Sequence, residues 1–180
     1  MVEKGKYPAD YRKELRLRGG ESILLRNIGV GDHERMIGFH KRLSELTVRM
    51  RYFETMSLEA RTDRARLERI CNPQLDREIA IVAVVDDEIV GVGRLEDGLS
   101  MEKAEFAVLL VDDWQGRGLG GVMLKELIEL AKKRGLVGIH AEIMPSNRGM
   151  RKLVKGMGFR VLDDYEEKTA FVTLDFYEGK

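Results

Sequence analysis

Cysteine is almost absent from this chain of 180 residues, in which Cys71 is the single one. An intramolecular disulfide and a cysteine zinc cluster are therefore excluded, which fits a reducing compartment. Histidine is scarce as well: its three copies are scattered and give no reason to expect a metal ion. We interpret Cys71 as a small, semi-buried residue at the end of a helix.

Long hydrophobic runs and an excess of charge of either sign are also missing. The longest apolar run, 79–85, is far shorter than the ~20 residues that span a bilayer. The charged N-terminus leads into no apolar core, so we expect that it is not a signal peptide. The 31 basic residues balance 31 acidic ones, which gives no support to a general nucleic-acid or membrane binder. We therefore expect a soluble, cytoplasmic protein without direct contacts to nucleic acid or membrane.

The length suggests a single domain that buries about 70% of the surface of its unfolded chain. Residues 1–20 hold six basic and three acidic side chains and end in Gly19-Gly20. Such a segment is typical of a flexible terminus. We therefore predict an N-terminal arm over residues 1–20 and one domain over residues 21–180.

Short apolar runs alternate with segments of helical periodicity along this domain. Amphipathic helices are predicted after Asp32 and Ser57, and two more after the glycine-rich stretch 115–121 and Ser146. Asp86-Asp87 predicts a tight hairpin between two apolar runs. The predicted strands are 22–28, 78–85, 88–95, one from 104, 137–144, one near 159, and 169–176. The pattern predicts a mixed α/β or α+β architecture around one sheet.

The glycine-rich stretch, Gln115-Gly-Arg-Gly-Leu-Gly-Gly121, lies between the apolar run 104–111 and a helical segment. The first turn of a helix has unpaired backbone N–H groups and a partial positive charge, so it attracts anions. Glycines let a phosphate approach the main chain and permit positive φ values that turn successive N–H groups inward. The stretch therefore predicts a cradle for a diphosphate.

Spacing separates three classes of cradle. A P-loop needs Lys-Ser/Thr after its last glycine, whereas Val122-Met123 follows here, so nucleotide hydrolysis is disfavoured. The dinucleotide fingerprint G-x-G-x-x-G is satisfied, and Glu142 lies about where a ribose-binding acid belongs. However, the four residues 112–115 separate the apolar run from the first glycine, where the dinucleotide turn is tight.

The third class of cradle is identified by its resemblance to the motif of a known superfamily. Gln115-x-x-Gly118-x-Gly120 resembles the Q/R-x-x-G-x-G/A motif with which acetyl-CoA-dependent N-acetyltransferases of the GNAT superfamily bind the coenzyme's pyrophosphate. Downstream, the stretch from Asn147 to Phe159 is similar to the N-x-x-A-x-x-L-Y-x-x-x-G-F ending of that superfamily. The resemblance implies acetyl-CoA as cosubstrate, bound by Leu110, Val111, Gln115, Gly116, Arg117, Gly118, Leu119, Gly120, Gly121 and Asn147.

The segments 43–53 and 104–108, with Tyr7-Pro8, are similar to the acetyltransferase domain of Pat-type protein lysine acetyltransferases. This resemblance implies the GNAT fold, a twisted mixed sheet of about seven strands splayed between the fourth and fifth, flanked by about four helices. It also implies acetyl transfer to a lysine side chain of a protein. We interpret Tyr52 and Phe53 either as core aromatics or as residues lining the substrate groove.

Glu105 is the ionisable residue of the run 104–111, and its neighbours Ala104, Phe106 and Ala107 predict that it loses hydration on folding. The resemblance implies that the matching glutamate is the general base, acting through a water. A solvated or salt-bridged carboxylate is the plainer interpretation. Glu142 and His140 are alternative bases on the neighbouring strand, although a structural role suits His140 better.

Other assignments stay open. Many superfamily members have a tyrosine as general acid where this chain has Val154, so the acid is unassigned. Asn147 is placed by resemblance to bond the coenzyme arm or a water, but it could equally cap a helix. The acidic stretch 163–167 could attract basic partner surfaces or simply be solvated. The rival functions are a small-molecule amine acetyltransferase, a protein N-terminal acetyltransferase, and a non-catalytic acetyl-CoA sensor.

Overall fold

The computed structural model describes residues 5–98 and 102–177. Its centre is a sheet of eight strands in the order β1-β2-β3-β4-β5-β6-β8-β7. Neighbouring strands are antiparallel except β5 and β6, which are parallel. The strands are β1 Arg12–Arg16, β2 Ser22–Asn27, β3 Glu78–Val85, β4 Glu88–Asp97, β5 Lys103–Leu110, β6 Gly138–Ile143, β7 Arg160–Asp164 and β8 Thr169–Asp175.

Six α-helices accompany the sheet, where about four were predicted. They are α1 His33–Lys41, α2 Glu45–Tyr52, α3 Leu58–Arg61, α4 Arg64–Ile70, α5 Leu119–Lys133 and α6 Arg148–Gly156, with short 3-10 turns at Val30–Asp32 and Asp112–Trp114. The number rises because two predicted helices are interrupted. Ser44 and Asp63 accept hydrogen bonds from the amides of Thr47 and Arg66 and so begin new helices. Ser57 caps α3, as predicted.

The N-terminal segment belongs to the sheet. Residues 12–16 form β1, which pairs with β2 over its whole length. Tyr7 is buried, and its amide donates to the carbonyl of Leu75. The prediction of a flexible arm is therefore wrong for these parts, while residues 1–4 lie outside the described residues.

A buried polar cluster holds this segment in place. The Tyr7 hydroxyl donates to Asp97 Oδ1 at 2.7 Å, and the Arg134 guanidinium contacts Asp97 Oδ2 at 2.7 Å. The Arg134 guanidinium also lies 5.0 Å from the centre of the Tyr7 ring. The cluster thus joins the N-terminal segment, the end of β4 and the C-terminus of α5. The Asp97 carboxylate supplies the counter-ion that a buried guanidinium needs, although Arg134 Nε itself has no hydrogen-bond partner among the described residues.

Helix α5 packs closely on the sheet because two glycines of β4 lie beneath it. A Cβ on Gly91 would lie 2.7 Å from Leu110 Cδ2 and 2.8 Å from Met123 Sδ, so a larger residue would displace these two side chains. The hairpin before β4 forms as predicted, with Asp86 and Asp87 at φ 49° and 65°. Cys71 is the C-cap of α4 and is fully buried rather than semi-buried.

The sheet opens between β5 and β6. These strands pair only over residues 103–105 and 138–140, although β5 continues to Leu110 and β6 to Ile143. The predicted splay is found here. It falls between the fifth and sixth strands because β1 adds one to the count. No helix among residues 5–98 and 102–177 is long and apolar enough to cross a membrane.

Candidate active site

The N-terminus of α5 lies at the open end of the sheet and presents unpaired amides. In the described part of the chain, the N–H groups of Leu119, Gly120 and Gly121 have no hydrogen-bond acceptor. Gly116 and Gly118 precede them with φ of 71° and 88°, a conformation that favours glycine. Apart from its chain neighbours, no described residue has an atom within 4 Å of a Cβ built on either glycine. The turn is thus open and has free donors, as an anion cradle requires, and its binding of an anion stays a prediction.

The side chains of Gln115, Arg117 and Leu119 in this turn point in different directions. Gln115 Nε2 donates to Thr47 Oγ1 at 3.1 Å and to the carbonyl of Leu110 at 3.2 Å. The Arg117 guanidinium lies 4.0 Å from the centre of the Trp114 ring and pairs with Glu21, so it is directed away from the opening. Leu119 is buried in the core. Of the predicted residues, Arg117 and Leu119 therefore bring only their main chain to the cradle.

The main chain of β5 lines the opening. The amide of Val111 donates to the carbonyl of Val90, and the carbonyl of Val111 accepts from the amide of Trp114. Both groups of Val111 therefore have partners within the fold, and their binding to the coenzyme arm stays a prediction. In an antiparallel ladder successive residues alternate in direction, so Leu110 and Val108 direct their N–H and C=O groups away from β4 into the opening. Sequence reasoning missed Val108.

Asn147 caps α6. Its Oδ1 accepts a hydrogen bond from the amide of Met150 at 3.0 Å, which assigns the cap to Asn147 rather than to the predicted Ser146. Its Nδ2 has no acceptor among the described residues, and the residue lines the cavity described next. Ser146 Oγ lies 3.8 Å from Met50 Sδ, a contact between the loop before α6 and α2.

A cavity of about 950 Å³ fills the opening between β5 and β6. Its first wall is α2 with the residues that follow it, its second is β6 with the start of α6, and β5 and the turn before α5 complete it. Phe53 ends α2 in the left-handed region, with φ 66°, and lies on the first wall. The predicted residues Leu110, Gln115, Gly116, Gly118, Gly120, Gly121 and Asn147 line this one cavity together with Glu105.

Glu105 stands where the two strands part. It pairs across the sheet with His140, and it has no hydrogen bond or ion pair to any described residue. The residue is exposed, so the prediction that folding removes its hydration is wrong for the chain alone. The alternative bases lie nearby: His140 stacks on Phe171 at 5.5 Å, and Glu142 is exposed.

A clamp that the sequence did not reveal holds α2 against the cradle. Asp112 accepts from the amide and the hydroxyl of Ser44 at 2.9 and 2.6 Å. Burial alone raises the pKa of Asp112, but the hydrogen bonds from Ser44 outweigh it and hold the pKa below its usual range. Asp113 accepts from Arg42 with both carboxylate oxygens, at 3.1 and 2.9 Å. The first wall of the cavity is therefore tied to the turn that carries the free amides.

Comparison with known proteins gives consistent matches. The family model described as Acetyltransferase (GNAT) family matches residues 40–159. Acetyltransferase PA5475 of Pseudomonas aeruginosa is 30% identical over 160 residues, which are 87% of this chain and 84% of the relative. Acetyltransferase Pat of Mycolicibacterium smegmatis is 29% identical over 149 residues, 80% of this chain but 43% of the relative.

Solved structures agree on the fold. The GNAT domain of S. lividans PAT superposes with a TM-score of 0.86 at 24% identity, over 95% of this chain and 100% of that one. The PaiA N-acetyltransferase from Thermoplasma acidophilum, solved in complex with coenzyme A, gives a TM-score of 0.70 at 16% identity, over 86% of this chain and 99% of that one.

Proposed function

The chain belongs to the acetyltransferase (GNAT) family and is an acetyl-CoA-dependent N-acetyltransferase, and on this premise we propose that it acetylates lysine side chains of proteins with Glu105 as general base. The observation that carries the proposal is the position of Glu105. It is an unpaired carboxylate at the point where β5 leaves β6, in the cavity that also holds the free amides of α5.

The groups of the chain fit the proposed acyl donor. The unpaired amides of Leu119, Gly120 and Gly121 suit a diphosphate, because they are donors at the positive end of a helix. The outward-facing main-chain groups of Val108 and the amide of Leu110 suit an arm that contains amides, whereas the carbonyl of Leu110 already accepts from Gln115. Bound there, acetyl-CoA would supply an acetyl thioester to the part of the cavity beside Glu105.

A base near the thioester is useful because the attacking lysine amine has to lose a proton. A lysine amine has a reference pKa of about 10.4, so freeing its lone pair at pH 7 costs on the order of 4.6 kcal/mol. Glu105 accepts that proton, directly or through a water, as the nitrogen forms its bond to the acetyl carbon and the carbon–sulfur bond breaks. Val154 is buried and cannot donate, so the leaving thiolate takes its proton from the solvent or from the attacking ammonium. Because a thiol has a pKa near 8.5, the thiolate can leave without a side chain that protonates it.

Two features favour a protein as acceptor. The relative named Pat is similar over 80% of this chain, although this chain spans less than half of that protein. The walls of the cavity also carry exposed apolar side chains, with Leu46 64% and Phe53 39% exposed, which suit contact with another protein surface. Small amines and protein N-termini remain the alternatives, because the same cradle serves all of these acceptors.

The base assignment is tested with Glu105→Gln and the matched control Glu142→Gln, an exposed glutamate on the neighbouring strand. We expect Glu105→Gln to lower kcat by about 10²–10⁴ at pH 7, the usual contribution of a general base, with unchanged affinity for acetyl-CoA. The loss should shrink as the pH rises, because more of the lysine is already neutral. Full turnover of Glu105→Gln from about pH 6 to 9 would show that another group is the base.

The acceptor class is tested separately. Labelled acetyl-CoA is incubated with the protein and either a proteome extract or a panel of polyamines and free amino acids. We expect label in proteins, on lysine side chains. Label only in the metabolites, or only at protein N-termini, would assign one of the alternatives.

A further inference from the structure

One side of the sheet continues outward from Glu105. Cross-strand partners point to the same face, and the register places Glu105, His140, Thr173 and Arg160 in one row. The next row, two residues further along β6, consists of Glu142, Phe171 and Leu162. We call these two rows, which end at the edge strand β7, the outer face: Glu105, His140, Thr173, Arg160, Glu142, Phe171 and Leu162.

The second row of the outer face is exposed beyond the cavity, whereas Thr173 in the first row is buried and accepts a hydrogen bond from Lys103. Helix α5 lies on the opposite side of the sheet, where Ile139 and Ala141 are buried. Leu162 is 61% exposed and Phe171 is 36% exposed. Phe171 also lines the cavity and stacks on His140, so the apolar part of the face is continuous with the proposed reaction site. An apolar surface at such a place is suited to a partner.

The charges of the face have an uneven distribution. Beside the face, Asp175 forms ion pairs with Lys103 at 2.5 Å and with Arg160 at 2.6 Å. Glu105 and Glu142, beside the cavity, form no ion pair with any described residue, although Arg51, Arg148 and Lys152 also line the cavity. The face therefore offers two unpaired carboxylates at the cavity and apolar side chains towards the edge, which complements a cation that is followed by an apolar group.

We propose that the outer face docks an extended segment of the acceptor protein, with its lysine at Glu105 and an apolar residue on Phe171 and Leu162. The proposal rests on the proposed function. Adjacent strands lie about 4.8 Å apart and each residue advances about 3.3 Å, so Phe171 and Leu162 lie about 12 and 16 Å from Glu105. An extended peptide covers that distance in about four or five residues. The preferred apolar residue therefore stands about four positions from the lysine.

The experiment uses peptides of eleven residues with a central lysine among small polar residues. One peptide has leucine four residues before the lysine, one has it four residues after, and one has none. Lysine amide with an acetylated α-amine is the minimal acceptor. We expect one leucine peptide to exceed the leucine-free peptide about five- to tenfold in kcat/KM, the effect of burying part of a leucine side chain.

Leu162→Ala should abolish this preference without changing kcat/KM for the minimal acceptor. Val30→Ala is the control, because Val30 is 77% exposed and lies in the turn before α1, away from the outer face. A preference that survives in Leu162→Ala, or that is lost equally in Val30→Ala, overturns the docking proposal alone. Failure to acetylate any of these lysines overturns the proposed function as well. Dissociation of a dimer by Leu162→Ala in light scattering assigns the face to self-association and also refutes the proposal.

Discussion

His40 makes the stability of the fold sensitive to mild acid. It lies on α1 with 1% of its surface exposed, and neither ring nitrogen has a hydrogen-bond partner among the described residues. The pKa of His40 is lowered to about 4, mainly by burial and in addition by the positive charges of Arg61 and Arg66. The folded state therefore keeps this ring neutral where an unfolded chain, with a histidine pKa of about 6.5, takes up a proton.

The size and sign of the effect follow from linkage. Above pH 6.5 both states are neutral, and the stability is complete. Between pH 6.5 and 4 the unfolded state binds one more proton, so the free energy of unfolding falls as the pH falls. From pH 7.5 to 4.5 the two pKa values give a loss of about 2.5 kcal/mol. That loss is a large part of the stability of an ordinary domain.

Urea denaturation of the wild type and of His40→Leu, at pH 7.5 and at pH 4.5, measures this loss. We expect the wild type to lose about 2.5 kcal/mol more than the variant over this interval. Asp32 and Asp112, whose carboxyl pKa values are lowered, lose their contribution at lower pH, and they do so in both proteins. Equal losses in the two proteins would refute the assignment to His40.

Two further predictions concern the cradle and the buried cluster. Gly118→Leu and Gly135→Leu both force a side chain into the left-handed region, at φ 88° and 84°, so each should lose about 1–2 kcal/mol in urea denaturation. Only Gly118→Leu, at the N-terminus of α5, should also lose affinity for acetyl-CoA in calorimetry, and equal affinities would remove the cradle argument. Asp97→Asn leaves the Arg134 charge buried without a counter-ion and should cost about 3–5 kcal/mol, whereas Tyr7→Phe, which removes one hydrogen bond, should cost about 1 kcal/mol. A loss as small for Asp97→Asn as for Tyr7→Phe would contradict that ranking.

The sequence was sufficient where a local rule decides the structure. The paired aspartates before β4 adopt the positive φ values of a tight hairpin. Gly116 and Gly118 adopt the conformation that only the absence of a Cβ makes easy, and they lead into a helix as predicted. In both places the residue type and its immediate neighbours contain the whole physical reason.

Sequence reasoning failed where a distant partner or the register decides. Tyr7 is fixed by Asp97, 90 residues away, so nothing near it in the sequence distinguishes its segment from a loose arm. The register with β4 pairs the amide of Val111 with Val90, which its position at a strand end does not reveal, and its role in the site stays a prediction. Glu105 has apolar neighbours in sequence, yet Ala104 and Phe106 point to the other face of β5 and cannot shield it.

The prediction of one continuous helix over α1 and α2 was wrong for another reason. The apolar period continues through α1 and α2, so periodicity alone predicts one helix. The break comes from Ser44, whose hydroxyl caps α2 and donates to Asp112 in the cradle turn. The cap can be predicted from the local sequence, but the contact of Ser44 with Asp112 cannot, because Asp112 is distant in the chain.

The parting of β5 from β6 separates two stretches that follow one another along the chain. Strands β1–β5 come from residues 12–110 and strands β6–β8 from residues 138–175, and α5 crosses between them. Each wall of the cleft is thus encoded by its own portion of the gene. Changes confined to the first portion can therefore remodel the wall built on α2 without altering β6, β7 or β8. The contacts of Ser44 with Asp112 and of Thr47 with Gln115 are the ties that such remodelling has to preserve if the turn before α5 is to stay in place.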